Sequence, residues 1–139
     1  MQRTLAIIKP DAVARQSVGM IITRIEENGF EICGLRLLRL SRSDAEGFYS
    51  VHKDKPFFES LATFMSSGPV VVLALRAPDA IKRWRQLMGA TDPAKAEAGT
   101  LRREFGSSIE RNATHGSDAM ETASDELNYF FCGVEIGRT

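Results

Sequence analysis

A histidine stands in the most polar short stretch of the chain, residues 112–118 (NATHGSD). His115 is followed by Gly116, which allows a tight turn or a close approach to a ligand, and then by two residues that favour helix starts. The amides that open a helix attract negative charge, and a neutral imidazole is a competent nucleophile. The stretch therefore fits transfer of an anionic group through His115, although a helix-capping loop with an incidental histidine explains it equally well.

Several cations and hydrogen-bond donors favour the first interpretation. Arginine binds phosphate oxygens through a planar fork and lysine as a point charge, so together they offset the charge of a triphosphate during transfer. Taken singly, each such residue is more often an ordinary surface residue, but Lys9 closes a buried strand and is well placed at a sheet edge. The residues that strand ends and loops could bring near His115 are Lys9, Arg85, Thr91, Arg102 and Asn112.

The chain lacks the common signatures of phosphoryl transfer. It contains neither the G-x-x-x-x-G-K-[ST] loop nor the His-Arg-Asp and Asp-Phe-Gly triplets of protein kinases. No group of carboxylates is spaced to cage magnesium, so we expect Mg²⁺ to be held by the phosphates of a nucleotide rather than by protein side chains. Phosphoryl transfer here must follow a different design.

The composition indicates one globular domain, residues 1–139, because 43% hydrophobic and 26% charged residues are ordinary values for this length. The 18 basic and 18 acidic residues cancel, which argues against general nucleic-acid binding. Cys33 and Cys132 have no neighbouring zinc ligands, so we expect reduced thiols. The longest apolar run, residues 70–75, is far below the ~20 residues of a membrane span. We recognise no secretory signal and expect a cytoplasmic protein with no membrane partner.

Three apolar segments have the length and composition of β-strands. Residues 4–8 (TLAII) end in a turn, residues 31–40 (EICGLRLLRL) lie between turn residues, and residues 70–76 (VVVLALR) are typical of a central strand covered on both faces. A fourth, short strand is predicted at residues 113–115. We expect the second strand to pair with the first.

Helical periodicity occupies the intervals between these strands. A capping box of Ser43 and Glu46 predicts a helix that forms a hairpin with the next one, which begins at Pro56. Residues 89–99 form a long loop of the kind that is usually functional. The last helix follows His115, with Ser117 or Asp118 as its N-cap.

This order of elements predicts an α+β sandwich of the ferredoxin-like type. In it, a four-stranded antiparallel sheet is covered by helices and carries an added helical hairpin and a long loop. His115 would lie between the short fourth strand and the last helix.

Three segments closely resemble the nucleoside diphosphate kinase family, and the resemblance covers almost the whole chain. Residues 4–11 (TLAIIKPD) resemble its opening strand and lysine, residues 49–58 its hairpin, and residues 112–118 its signature around a phosphorylated histidine. The resemblance implies an enzyme that moves the terminal phosphate of a triphosphate, mainly ATP, to a nucleoside diphosphate. It implies ping-pong kinetics through a phosphohistidine, Mg²⁺ as cofactor, and a role in maintaining NTP and dNTP pools.

The resemblance also implies roles for individual residues. His115 would be the nucleophile, phosphorylated on its pros nitrogen (Nδ1), although the sequence itself does not say which ring nitrogen reacts. Phe57 would stack on the base with Ile109 across from it, an arrangement that tolerates any base. Ser117 and Glu126 would orient the histidine ring. Contacts with phosphates or ribose are implied for Lys9, Tyr49, Arg85, Thr91, Arg102 and Asn112.

Two departures from the family pattern lie near the long loop, residues 89–99. Ala98 stands where a proline commonly precedes Gly-Thr, and residues 103–105 (REF) replace a commoner Gly-Asp-aromatic segment. In the family this loop both binds nucleotide and touches neighbouring subunits. The resemblance therefore implies a homo-oligomer, with a tetramer, a hexamer and a dimer all open.

Two other functions fit parts of the sequence. A regulatory module that binds a small effector would explain a ferredoxin-like fold but leave residues 112–118 without purpose. A binder of single-stranded nucleic acid could use Phe57 and the arginines, but the zero net charge argues against this as the main role.

Overall fold

The four strands form one antiparallel sheet in the computed structural model, which describes residues 1–137. Residues 138 and 139 of the predicted domain lie outside the described part of the chain. The strand order is β2-β3-β1-β4. This confirms the predicted α+β sandwich of ferredoxin-like type. The strands are β1 (Gln2–Ile8), β2 (Glu31–Leu38), β3 (Val70–Ala77) and β4 (Thr114–Gly116).

The expected pairing of the second strand with the first is wrong. Strand β2 pairs with β3, with Leu35 opposite Leu73, while β1 pairs with β3 on one side and β4 on the other. Strand β3 is buried along nearly its whole length, so its backbone groups need a neighbouring strand on each side. Strand β2 is left at the sheet edge, where residues 35–37 remain exposed.

The helices cover both faces of this sheet. Three of them, near residues 10–14, 101–105 and 133–136, are too short to give a clear periodic pattern and were not predicted. Within residues 1–137, no helix has the length and apolar character needed to cross a bilayer. In chain order the helices are α1 (Pro10–Ala14), α2 (Val18–Glu27), α3 (Arg42–Phe48), α4 (Phe58–Met65), α5 (Ala80–Met88), α6 (Leu101–Phe105), α7 (Met120–Phe130) and α8 (Gly133–Ile136).

Two hydrophobic layers lie on opposite sides of the sheet because side chains alternate along a strand. Ala6 and Ile8 of β1 face a layer built with α2 and α5, whose largest member is Trp84. Leu5 and Ile7 face the other layer, built with α3, α4 and α7. Strand β1 is therefore buried on both faces, and the residue that follows it, Lys9, is held in a fixed place.

Helix α3 is capped two residues earlier than predicted. The Ser41 hydroxyl accepts a hydrogen bond from the Asp44 amide (2.9 Å), and the Asp44 carboxylate accepts one from the Ser41 amide (2.9 Å). The expected pair, Ser43 and Glu46, is wrong because Asp44 at the third helical position supplies the carboxylate that a capping box needs. The predicted hairpin of α3 and α4 is present.

The predicted N-cap of α7 is also wrong. Ala119 occupies that position, and the Thr122 hydroxyl accepts hydrogen bonds from the amides of Asp118 (3.2 Å) and Ala119 (2.9 Å). The Ser117 side chain is fully buried and bonded elsewhere, so it is not available as a cap.

Candidate functional site

His115 is the middle residue of β4 and lies opposite Ile7 of β1. Its carbonyl accepts a hydrogen bond from the indole nitrogen of Trp84 (3.1 Å), which fixes the backbone. Its Nε2 lies 2.8 Å from a carboxylate oxygen of Glu126, and both side chains are about four-fifths buried, with 18% and 20% exposed. The ring is therefore held in one orientation.

Glu126 is held in turn by Ser117. The Ser117 hydroxyl donates to the same Glu126 oxygen (2.9 Å) and accepts from the Leu5 amide in β1 (3.3 Å). This chain of contacts links the sheet, helix α7 and the His115 ring. The structure thus brings together the two residues for which the resemblance implied a role in orienting the histidine.

Two aromatic rings pack against the His115 ring by their edges, Phe48 with centroids 5.4 Å apart and Tyr49 at 6.1 Å. The Tyr49 hydroxyl is buried and has no hydrogen-bond partner within residues 1–137. Burial, with a smaller effect of Glu126, raises the pKa of Tyr49, so it stays a neutral donor. Phe48 was not singled out from the sequence, where it is one more apolar residue of a helical stripe.

Lys9 and Asn112 meet although they are 103 positions apart in the chain. The Lys9 ammonium donates to the Asn112 side-chain oxygen (2.8 Å), and the Asn112 amide donates to the carbonyl of Thr91 (3.0 Å). Burial lowers the pKa of Lys9 to about 8, and repulsion from Arg102 adds to this effect. The long loop, β1 and the segment before β4 therefore converge here.

Asp11 of α1 holds the segment before β4 in place. One oxygen of its buried carboxyl group accepts from the Ala113 amide (3.1 Å), and the other has no partner within residues 1–137. Ala113 has a φ of 72°, a left-handed conformation that is uncommon for alanine. Sequence reasoning missed Asp11, and its position two residues after Lys9 was the available signal.

The two predicted arginines differ in how firmly they are held. Arg102 donates to the carbonyls of Gly89 (3.1 Å) and Thr114 (3.0 Å), next to His115, and burial lowers its pKa to about 10. Arg85 is half exposed and forms an ion pair with Asp118. Arg85 belongs to α5 and Arg102 to α6, and Arg85 would have to leave Asp118 to bind another anion.

Phe57 and Ile109, the two predicted base contacts, are large apolar side chains that are exposed, at 48% and 62%. The Phe57 ring lies 5.6 Å from the ring of His52 at the hairpin turn. The segments that carry Phe57 and Ile109 are joined by a hydrogen bond from Ser60 to Glu110 (2.6 Å). Large apolar side chains left in water at the rim of a polar site are free to contact a ligand.

The need for glycine at position 116 has a different cause from the expected one. Its φ does not lie in the left-handed region, and no ligand needs to be invoked. A Cβ at this position would lie 2.5 Å from a Trp84 ring carbon and 2.6 Å from the Met88 methyl group. The glycine lets α5 pack directly against β4.

A cavity of about 850 Å³ opens beside Arg85 and Asp118, between the start of α7 and the long loop. His115 does not line it. We place the chemistry at His115 instead, because there a histidine ring lies against the carboxylate that orients it. Within residues 1–137, no group of three or more histidine, cysteine, aspartate or glutamate side chains is placed to hold a metal ion.

Comparisons with a family model, with related sequences and with solved structures all point to the same family. A sequence model described as nucleoside diphosphate kinase matches residues 2–136. A nucleoside diphosphate kinase of Desulfovibrio desulfuricans is 59% identical over 136 residues, which cover 98% of each chain. A crystal structure of the Aquifex aeolicus nucleoside diphosphate kinase has a TM-score of 0.95 and 43% identity, covering 97% of this chain and 98% of its own. The enzyme of Halobacterium salinarum, solved with CDP, has a TM-score of 0.94 and 38% identity, covering 99% and 92%.

Proposed function

This chain belongs to the nucleoside diphosphate kinase family, so it transfers the terminal phosphate of a nucleoside triphosphate to a nucleoside diphosphate, and we propose that His115 carries the phosphate in between. The reaction is ping-pong, with ATP as the main donor. It maintains the pools of nucleoside and deoxynucleoside triphosphates.

The orientation of the His115 ring carries this proposal. Because Nε2 faces the Glu126 carboxylate, it holds the ring proton, and Nδ1 keeps its lone pair for attack. Nδ1 attacks the terminal phosphorus, the bond from phosphorus to the bridging oxygen breaks, and the diphosphate leaves with that electron pair. The second half is the reverse, in which a terminal oxygen of the acceptor diphosphate takes the phosphoryl group from Nδ1.

Three cations of the predicted site supply the charge stabilisation that this transfer needs. Arg102 is already fixed beside β4, and Lys9 is held by Asn112. Arg85 would exchange its ion pair with Asp118 for a phosphate oxygen. We propose phosphate or ribose contacts for all six polar residues of the predicted set: Lys9, Tyr49, Arg85, Thr91, Arg102 and Asn112.

The nucleotide base would lie between Phe57 and Ile109. Both side chains are exposed, and the contact would be apolar stacking without hydrogen bonds to base edges. Such a contact accepts all bases, which suits an enzyme that equilibrates nucleotide pools. The complex of the Halobacterium salinarum relative with CDP supports a nucleotide site on this fold.

Mg²⁺ would enter with the nucleotide and be coordinated by its phosphate oxygens. Lys9, Arg85 and Arg102 are cations and Asn112 is a neutral donor, a set that fits a site receiving a partly neutralised phosphate chain. When bound, the ion lowers the negative charge of the phosphates.

We also propose that residues 1–139 act as one domain that assembles into a homo-oligomer and works in the cytoplasm, with neither a membrane nor nucleic acid as main partner. Strand β2, with Leu35 and Leu37 at 47% and 66% exposure, supports assembly because it offers apolar surface and, within residues 1–137, has a neighbouring strand on one side only. A dimer, a tetramer and a hexamer are all compatible with this edge.

The test is incubation with Mg²⁺ and ATP labelled on its terminal phosphate, without acceptor. We expect acid-labile, base-stable label on the chain that moves to GDP when GDP is added, and no label on His115→Gln. Circular dichroism of the variant checks that it is folded. Label that persists in His115→Gln would contradict the assignment of the nucleophile.

A further inference from the structure

Two contacts join helix α4 to the segment that precedes β4. The Ser60 hydroxyl donates to the Glu110 carboxylate (2.6 Å), and the Arg111 guanidinium lies 4.9 Å from the centre of the Phe64 ring. Ser60 and Phe64 are four residues apart in α4 and so lie on the same side of the helix. Glu110 and Arg111 are neighbours in the chain. We call these two contacts the clasp.

The clasp lies next to the two residues proposed to hold the base. Phe57 precedes α4 and lies one helical turn before Ser60, while Ile109 directly precedes Glu110. The hairpin itself is braced, since Arg42 of α3 bonds to Glu59 and Thr63 of α4. A shift of the hairpin relative to residues 106–112 would therefore move Phe57 as part of a rigid unit and change its separation from Ile109.

The clasp hydrogen bond is not needed to anchor α4. The helix is fixed to the sheet by Ala62, Phe64 and Met65, all buried, whereas Ser60 is exposed. A hydrogen bond at an exposed position adds little to folding, but it defines a distance between the groups that it joins. We therefore expect loss of this hydrogen bond to change nucleotide binding rather than the stability of the fold.

We propose that the clasp is a positioning device that sets the separation of Phe57 and Ile109 and thereby the affinity for the nucleotide base, with Ser60 and Glu110 as positioning residues. This inference rests on the proposed function, in which those two side chains contact the base. The hydrogen bond of the clasp acts on the base end of the nucleotide and makes no contact with His115.

The Glu110 side chain has a second effect that must be separated from the first. Its negative charge also favours the protonated form of Lys9 and raises the Lys9 pKa, against the larger effect of burial. Glu110→Gln keeps an oxygen that accepts from Ser60 but removes the charge. Glu110→Ala removes both, so the pair of variants distinguishes the hydrogen bond from the charge.

The experiment compares two acceptors for the phosphorylated protein, ADP and ribose 5′-diphosphate, which lacks a base. We expect Ser60→Ala and Glu110→Ala to raise KM for ADP about threefold to tenfold, the effect of losing one hydrogen bond. At about pH 6, where Lys9 stays protonated with or without the Glu110 charge, their kcat with ADP and all constants for ribose 5′-diphosphate should stay within about twofold of wild type, the margin set by small surface effects. Glu110→Gln should restore the wild-type KM for ADP.

A second comparison tests whether the clasp acts through Phe57. In Phe57→Ala, where the stacking ring is absent, Ser60→Ala should have no further effect on KM for ADP, because the two changes remove the same contact. Glu27→Gln on α2, which covers the opposite face of the sheet, is the matched control for loss of a carboxylate and should match wild type.

Three results would contradict the proposed role of the clasp while leaving the proposed function intact. They are an unchanged KM for ADP in both alanine variants, an equal loss with ribose 5′-diphosphate, and additive effects of Ser60→Ala and Phe57→Ala. A wild-type protein that accepts no label from ATP overturns the proposed function and the clasp together.

Discussion

Lys9 is a buried cation that loses its proton close to physiological pH. Burial lowers its pKa to about 8, and protonation is what lets it stabilise phosphate charge. We therefore expect kcat/KM for ATP to fall as pH rises through about 8, because the free protein then loses this charge. Lys9→Ala should be slower at pH 7 without being inactive, since the ammonium forms no covalent bond, and it should lack this decline.

The measurement is kcat/KM for ATP between about pH 6 and 10, the range over which this lysine titrates. Lys82→Ala, which removes an exposed lysine of α5, is the control and should keep the decline. An Lys9→Ala profile that still falls near pH 8 would assign the decline to another group.

Ala113 is a strained residue directly before β4. Alanine with a φ of 72° is destabilised by ~1 kcal/mol or more relative to glycine, whereas losing its buried methyl group costs ~1 kcal/mol. Because these terms nearly cancel, Ala113→Gly should change the free energy of unfolding by less than about 0.5 kcal/mol. Ala96→Gly, at a buried loop residue with φ of −75°, should lose about 1 kcal/mol.

Urea unfolding of the two variants gives these free energies. An equal loss in both variants would mean that the backbone conformation of Ala113 carries no strain. A loss in Ala96→Gly alone would support strain stored beside the site.

The sequence could place part of the site because some of its members are close along the chain. His115 of β4 and Glu126 of α7 are 11 positions apart with Ser117 between them, so a helix that begins soon after a histidine already puts them near one another. Lys9 and Asn112 meet only because β1 and β4 pair. That contact is set by sheet register, which local patterns do not specify. The resemblance supplied these distant members, and Asp11 was missed.

At the scale of elements, the packing of α5 against β4 depends on the absence of a side chain at Gly116. Gly116→Ala would place a methyl group 2.5 to 2.7 Å from Trp84 and Met88 atoms. We expect a loss of about 1 to 3 kcal/mol in the free energy of unfolding, the usual cost of overpacking. Because Trp84 also holds the His115 carbonyl, phosphorylation by ATP should slow as well.

Gly19→Ala is the control for this change. No atom lies within 4 Å of a Cβ at that position in α2, so the substitution should leave stability unchanged or slightly higher. Thermal unfolding and the rate of label uptake measure both effects. A fully stable Gly116→Ala would contradict the packing reason for this glycine.

The sequence predicts which segments form strands and helices better than it predicts which strands pair. Strand β3 was correctly identified as central because its residues are apolar without alternation, as burial on both faces requires. The partner of β2 was wrong because pairing is decided by competition among all strands, and β1 was already paired on both sides. The α3 cap was misplaced because Ser41 and Ser43 are both followed by an acidic residue three positions later.

At the scale of the whole molecule, the two edges of the sheet differ in length, and the longer edge strand is β2. Strand β4 has three residues, whereas β2 has eight and, among residues 1–137, pairs with a strand on one side only. Leu35 and Leu37 pair with Leu73 and Val71 and so lie on the face covered by α2, yet they remain exposed. Long apolar edge strands are a route to unwanted association unless a specific partner covers them.

We therefore predict that β2 is an interface between copies of this chain. Pairing of two β2 edges about a twofold axis would join the sheets, and larger assemblies would combine such pairs. Leu37→Lys should disfavour this pairing, because a charge on an edge strand opposes strand addition. Light scattering after size-exclusion chromatography should show a lower mass for Leu37→Lys than for wild type, whereas Val51→Lys, an exposed valine at the hairpin turn, should not change the mass. A monomeric wild type would refute the oligomer, and equal masses for wild type and Leu37→Lys would place the interface elsewhere.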